Sequence, residues 1–201
     1  MMRDAIRPGP FFAALLLIVL APLLALLTLL VLIAQGRPIL FRQLRAGRGG
    51  KAFPMKKFRS MRDLRDAEGH LLPDAARITA IGHFLRRSRF DELPELWNIV
   101  VGEMAWVGPR PLLPQTIEEM GAEGRLRCSV RPGLTGWAQV NGNTLLSLHE
   151  KLELDLWYVA NRTWRIDLLT ILYTVDVILR GEKINRTELE KALAGRHHRS
   201  S

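Results

Sequence analysis

Cysteine is nearly absent from this chain. Cys128 is the single copy among 201 residues, so no intrachain disulfide forms, and a cytosolic setting fits. Acid is scarce relative to base. Twenty Asp and Glu stand against 29 Lys and Arg, giving a net charge of +9 and a pI near 10.5. That imbalance suits an anionic partner: lipid headgroups, nucleotide phosphates or nucleic acid. Nucleic acid draws on net charge alone, since no recognisable binding module is present and a long apolar segment would go unexplained. Internal repeats and low-complexity tracts are lacking as well. One globular domain plus a membrane element is the plan that this length allows.

Charge is missing altogether between Phe11 and Ala34. Such a run is long enough to cross a bilayer as a helix, for which about 20 apolar residues suffice. It is too long for a cleaved signal peptide and lacks a clear small-x-small cleavage site. Pro22 sits at its middle, where it removes a backbone hydrogen bond and kinks a helix. Arg3 and Arg7 precede the run, while Arg37, Arg42, Arg45, Arg48 and Lys51 follow it. Basic flanks favour the cytoplasmic side, so both ends prefer the same side. A helix bent at Ala21-Pro22 that enters and leaves one leaflet satisfies both ends. A simple spanning anchor with a tolerated proline is the alternative that the residues leave open.

The polar part of the chain centres on Asp91 and Glu92. They lie between a basic run (Arg86, Arg87, Arg89) and apolar residues at helical spacing, namely Leu93, Leu96, Trp97 and Val100. Pro94 is tolerated so early in a helix because first-turn N–H groups have no intrahelical partner. The helix dipole and the nearby arginines should keep a carboxylate there ionised. An ionised, positioned carboxylate serves as a nucleophile or holds a divalent metal. An acidic pair that merely caps the helix is the plainer reading of the same spacing.

Around this pair the pattern is mixed. A short strand is expected at 38–41 and a second at 52–59, where apolar and basic side chains alternate and Lys57 and Arg59 share a face. Residues 63–73 read as a surface loop, and a helix is expected from about Ala75 to Arg87 with Ile78, Ile81, Phe84 and Leu85 as its stripe. Pro109 and Pro111 stiffen the backbone on either side of Arg110, whose planar fork suits phosphate oxygens. Residues 131–142 form a second turn-dense run in which Trp137 either stacks on a ring or is buried as structure. Helical patterning returns from Ser147 to Val159 and again from Trp164 to Leu179. The latter, with Asp167 and Asp176 in it, reads as an interfacial helix with Trp157, Tyr158 and Trp164 at headgroup level, a buried core helix being the competitor. His197 and His198 read as tail residues rather than metal ligands.

These motifs together resemble the bacterial sugar transferases, the monotopic phosphoglycosyl transferases that begin glycoconjugate assembly on undecaprenyl phosphate. The resemblance rests on Lys57–Met61 (KFRSM), Arg77–Gly82 (RITAIG), Asp91–Pro94 (DELP), Leu96–Asn98 (LWN), Gly108–Pro111 (GPRP), Arg131–Gly142 (RPGLTGWAQVNG) and Glu153–Asp155 (ELD), in the family's order from about Pro38 to Asp167. The chain is similar to the short members, which carry the catalytic core alone. It differs in having Ala21 where the family usually has Ser before the kink proline, Gly9 and Pro10 in place of an opening Phe-Asp pair, and Asn143 where Arg is frequent.

The resemblance implies a ping-pong reaction. Asp91 would attack a UDP-sugar, release UMP and hold the sugar-phosphate until undecaprenyl phosphate takes it. Glu92 would assist by accepting a proton. Mg²⁺, bound in part by Asp91, would offset charge on the diphosphate. Lys57, Arg86 and Arg110 match the family's phosphate-binding positions, and Asp167 matches a supporting acidic position. The expected fold is α+β and mainly helical. A re-entrant membrane helix (1–36) is followed by a small cytoplasmic catalytic domain (37–185) with short strands and interfacial amphipathic helices, then a polar basic tail (186–201). The expected partners are a UDP-sugar, undecaprenyl phosphate and membrane lipids, with no nucleic acid and with an oligomer left open. The expected location is the cytoplasmic face of the bacterial inner membrane. A non-catalytic basic protein that recruits partners of an export complex is the alternative reading.

Overall fold

The computed structural model describes residues 9–197, with side chains through 195. The flanking Arg3, Arg7 and His198 lie outside the described residues, as does the side chain of His197. The fold is mainly helical α+β with few strands, and it divides into two compact units. The first comprises residues up to Gln43 together with Pro54–Gly102. The second comprises Leu44–Phe53 and everything from Glu103 onward.

The first unit begins with helices α1 (Gly9–Val19) and α2 (Ala21–Gln35), bent by 66° at the break between them. The break falls where Pro22 enters the first turn of α2, a position that lacks an intrahelical N–H bond in any case. Among the described residues no single helix is long and apolar enough to cross a membrane; the bent pair passes that test only together. Two cations close α2 at its C-terminal end: Arg62 Nε donates to the Ala34 carbonyl at 2.7 Å, and Arg59 Nη1 to those of Arg37 at 2.9 Å and Gln35 at 3.4 Å. Guanidinium groups there satisfy carbonyls that the helix leaves open.

Strands β1 (Leu40–Ala46) and β2 (Ala52–Phe58) form a two-stranded hairpin whose tip belongs to the second unit. The helix expected from Ala75 is split. A single turn, α3 (Asp74–Arg77), gives way to extended backbone at Ile78 and Thr79, and α4 (Ala80–Arg87) starts afresh. The reason is local. Thr79 is β-branched and serves as N-cap, its hydroxyl accepting from the Gly82 N–H at 2.9 Å. Gly82 has no alternative, because a Cβ there would lie 1.9 Å from the Ser60 carbonyl oxygen. A 3-10 turn (Phe90–Glu92) and helix α5 (Glu95–Val100) complete the unit, with α1 packed on α5 and α2 on α4. Leu27, Val31, Phe58 and Leu85 are buried at its centre. Each such side chain contributes about 1.5–3 kcal/mol of apolar burial.

The second unit contains β3 (Ala105–Val107), α6 (Pro114–Glu119), α7 (Gly121–Arg127), β4 (Gly133–Thr135), α8 (Trp137–Val140), α9 (Leu148–Asn161), α10 (Trp164–Arg180) and α11 (Arg186–His197). β3 and β4 pair in parallel, Ala105 with Gly133 and Val107 with Thr135. This joins the two turn-dense segments. Their backbones approach so closely that a Cβ on Gly133 would sit 2.1 Å from the Gly108 nitrogen. Ser147 and Glu150 form a reciprocal capping box at the start of α9.

Two expectations are corrected here. Tyr158 is fully buried, so its ring belongs to the core and not to a headgroup layer; Trp157 is half-buried and stacked 5.4 Å from Trp137, and Trp164 is 71% exposed. The core side of α9 claims both rings. The segment from 186 is not a plain tail either. Residues Arg186–His197 are helical, and Leu189 and Ala192, spaced to share one face, are buried in the unit's main cluster with Trp137, Leu154 and Tyr158.

Candidate active site

Asp91 and Glu92 sit in the 3-10 turn that precedes α5, not in the helix itself. Arg89, at φ 60 and ψ 14, enters the turn in the left-handed region, an uncommon conformation for a residue with a side chain. Strain of this kind costs about 1–3 kcal/mol and concentrates at functional turns. Asp91 is buried, with 9% of its surface exposed. Its pKa is raised above the ordinary carboxylate value, first by burial and then by the adjacent Glu92. Lys57, Arg86 and Arg89 pull it down but do not prevail. The cations thus act on this carboxyl in the expected direction, and burial works against them. Six-residue α5 starts beyond the pair, and burial outweighs the cations.

Lys57 anchors the opposite side. Its ammonium lies 2.8 Å from Glu92 Oε1 and 3.1 Å from Glu95 Oε1, so one cation serves two carboxylates. Arg89 Nη1 approaches the same Glu92 oxygen at 3.8 Å. Arg86 Nε donates to Ser60 Oγ at 2.9 Å, which fixes the guanidinium relative to the end of β2. Asn98, fully buried, ties β2 to α5. It accepts from the Lys56 N–H at 3.3 Å and donates to the Pro54 carbonyl at 3.0 Å. Lys56, on the other face of the strand, lies 5.2 Å above the Trp97 ring. Strand alternation thus sends Lys57 to the acids and Lys56 to the indole.

The first unit therefore brings together Lys57, Arg86, Asp91 and Glu92. Arg59, which shares the strand face with Lys57 in the sequence pattern, is committed to the end of α2 and to Asp63 at 3.0 Å. Sequence reasoning overlooked Glu95, Ser60 and the backbone of Arg89. Glu95 carried a usable signal, being one helical turn from Glu92 on the same side. Ser60 and the Arg89 conformation carried none.

Arg110 and Asp167 belong to the second unit and are described there. Arg110 is half-buried after the buried Gly108 and Pro109, and its carbonyl accepts from Arg127 Nη2. Arg127 also forms a buried ion pair with Asp155 at 2.8 Å, linking α7 to α9. Asp167 accepts a hydrogen bond from the Tyr158 hydroxyl at 2.6 Å and faces Arg162 at 3.9 Å, at the turn between α9 and α10. Trp137 is buried between Trp157 and Tyr173, the structural one of its two expected fates.

Among the described residues no cluster of three or more His, Cys, Asp or Glu side chains is placed to hold a metal ion. The neighbouring Asp91 and Glu92 fit a different arrangement. Mg²⁺ is commonly held by one or two carboxylates plus the substrate's own phosphate oxygens, and a buried carboxylate beside a second one offers that.

The sequence of the chain matches the family described as bacterial sugar transferase over residues 9–181. The chain belongs to that family. It is 42% identical over 176 residues to the uncharacterized sugar transferase EpsL of Bacillus subtilis (strain 168), covering 87% of each. It is 37% identical over 173 residues to the UDP-glucose:undecaprenyl-phosphate glucose-1-phosphate transferase of Escherichia coli (strain K12), covering 81% of this chain and 37% of that protein. To the undecaprenyl-phosphate galactose phosphotransferase of Salmonella typhimurium it is 34% identical over 182 residues, covering 82% and 38%. The chain thus spans little more than a third of these two longer relatives, in contrast to its near-full span of EpsL. Membership places it among the transferases, and the relatives named for glucose and for galactose leave its sugar unassigned.

Proposed function

We propose that this transferase moves a sugar-1-phosphate from a UDP-sugar to undecaprenyl phosphate through a covalent intermediate on Asp91. The observation that carries this reading is one buried carboxylate set among Lys57, Arg86 and Arg89 beside a second carboxylate. In the first step an Asp91 carboxylate oxygen attacks the sugar-bearing phosphorus. The new O–P bond replaces the bond to the bridging oxygen, which leaves with UMP. In the second step an oxygen of undecaprenyl phosphate attacks the same phosphorus and the Asp91 O–P bond breaks, restoring the carboxylate. Glu92, held by Lys57, takes the proton that the lipid phosphate carries at neutral pH.

Lys57, Arg86 and Arg89 supply fixed positive charge where the diphosphate and the phosphorus transition state need it, which is how phosphoryl transfer is chiefly accelerated. Mg²⁺ would be held in part by Asp91 and, when bound, offsets charge on the diphosphate. Arg110 and Asp167 are carried by the family resemblance as a further phosphate contact and a supporting acid. We place the catalytic turn on the cytoplasmic side: the bent apolar pair α1–α2 supports re-entry of one leaflet by the first unit, and, taken by itself, the exposed apolar residues of α10 (Trp164, Leu168, Leu172, Leu179) support an interfacial position for that helix.

Intact-protein mass spectrometry after incubation with Mg²⁺ and a panel of UDP-sugars, without lipid acceptor, tests the reading. A mass gain of one sugar-phosphate that is absent in Asp91→Asn is the expected result, and it names the sugar. Turnover of UDP-sugar by Asp91→Asn at the wild-type rate would sink the covalent mechanism.

A further inference from the structure

Glu95 is a buried carboxyl to which the chemistry above gives no role. Only 3% of its surface is exposed, and it opens α5 just beyond the acidic pair. Its Oε1 lies 3.1 Å from the Lys57 ammonium, which also donates to Glu92 Oε1 at 2.8 Å. Taking ionised side chains out of water is costly, and apolar residues of similar volume often serve stability as well as a buried ion pair does. An apolar side chain at 95 would still pack α5 against β2. It would not hold a cation.

The register between β2 and α5 sets this contact. Asn98 accepts from the Lys56 N–H at 3.3 Å and donates to the Pro54 carbonyl at 3.0 Å. Glu95 precedes Asn98 by three residues, so both stand on one face of α5 and Glu95 meets the strand at Lys57. The two acids that share Lys57 differ in access. Glu92 adjoins the proposed nucleophile, is approached by Arg89 at 3.8 Å, and has a side chain 12% exposed against 4% for Glu95. Glu95 is therefore the one sealed from solvent.

A diphosphate entering the site is an anion and competes with Glu92 for the same ammonium. The head of a lysine is a point charge on a flexible four-carbon stem, so a single partner does not fix it. A second carboxylate beyond the reach of the substrate does. The place of Lys57 matters to the reacting group, because its charge acts on Asp91. We infer that Glu95 is the positioning residue of Lys57: it anchors the ammonium from the buried side and keeps it at the acidic pair while the donor's diphosphate competes for it. The inference rests on the function proposed above for the diphosphate, and on the buried ion pair for the anchor.

The test uses the full chain in nanodiscs and two variants: Glu95→Gln, which keeps an oxygen but no charge, and Glu95→Leu, which keeps neither. Without substrate, acetylation of Lys57 by limiting reagent is read by peptide mass spectrometry, with Lys56 as the internal reference. It should be slowest in wild type, several-fold faster in Glu95→Gln and fastest in Glu95→Leu. In UMP-release assays Glu95→Leu should lower kcat about tenfold, within the scale on which a misplaced group is felt, and Glu95→Gln should lower it less. In a Lys57→Met background Glu95→Leu should cause no further loss, because the group it positions is already gone. A purely structural role would give the same factor in both backgrounds. That equal factor, or Lys57 acetylation unchanged in both variants, overturns the assignment; should Glu95→Leu not fold, the acetylation of Glu95→Gln decides alone. The two readings fail separately. Protection of Lys57 that is lost in the variants, with no UMP released by wild type from any UDP-sugar, refutes the proposed reaction and keeps the anchor. Turnover by wild type with Lys57 equally reactive in all three proteins does the reverse.

Discussion

At Asp91 two influences oppose each other: burial and Glu92 raise the pKa, while Lys57, Arg86 and Arg89 lower it, and the balance is upward. A raised folded-state pKa means that the folded protein binds the proton more tightly than the unfolded chain. Stability from this group is then complete below the ordinary carboxylate pKa and is lost as pH rises through the folded value. Asp91→Asn removes the loss. Its Tm should exceed that of wild type at neutral pH by a few degrees, and the difference should vanish below pH ~4, near the ordinary carboxylate pKa. Thermal unfolding followed by circular dichroism across that range checks it, and a variant less stable at neutral pH contradicts it. Lys57 presents the converse case. Lys57→Met leaves Glu92 and Glu95 facing each other without their shared ammonium, and should cost about 2–4 kcal/mol. It should also slow UMP release about 100-fold, the scale on which loss of one preorganised charge is felt. Urea unfolding and a nucleotide-release assay read the two effects separately.

Among the elements, the joint between α7 and α9 depends on one buried charge pair. Burial raises the Asp155 pKa and Arg127 opposes that rise. Arg127→Met strands the carboxylate and should destabilise the protein by about 3–5 kcal/mol. The double variant Arg127→Met with Asp155→Leu should recover most of the loss, because no buried charge is left unpaired. Denaturant midpoints of the two single variants and the double form the cycle that tests this, and a double variant as unstable as Arg127→Met would refute it. The α1–α2 break belongs to the same scale. The family's usual serine before the kink proline is replaced by Ala21, and the bend of 66° is present without its hydroxyl. Proline at the start of α2 is sufficient for the break because its missing N–H falls among groups that a helix start leaves unbonded.

For the molecule as a whole, the re-entrant reading makes a sidedness prediction. In a Cys128→Ser background, single substitutions Arg3→Cys and Arg48→Cys should both react with an impermeant thiol reagent from the cytoplasmic side only. Labelling of either from the periplasm refutes re-entry and favours a straight span. The sequence by itself determined whatever depends on near neighbours. The uncharged run and Pro22 specified a broken apolar helix, Ser147 with Glu150 specified the start of α9, and the alternation around Lys57 specified a strand. The adjacency of Asp91 and Glu92, with Arg86 and Arg89 close by in the chain, made half of the candidate site legible in the same way. Tertiary structure decided the rest, because burial and partner choice depend on segments distant in sequence. It brought Lys57 to Glu92 and Glu95, Ser60 to Arg86, and Gly108 against Gly133 in a parallel pair. It also turned Tyr158 into the core, made a helix of the expected tail, and set burial against the cations around Asp91. Local pattern fixes which groups are near one another along the chain. Only the folded packing fixes how much water and how many opposing charges each of them keeps.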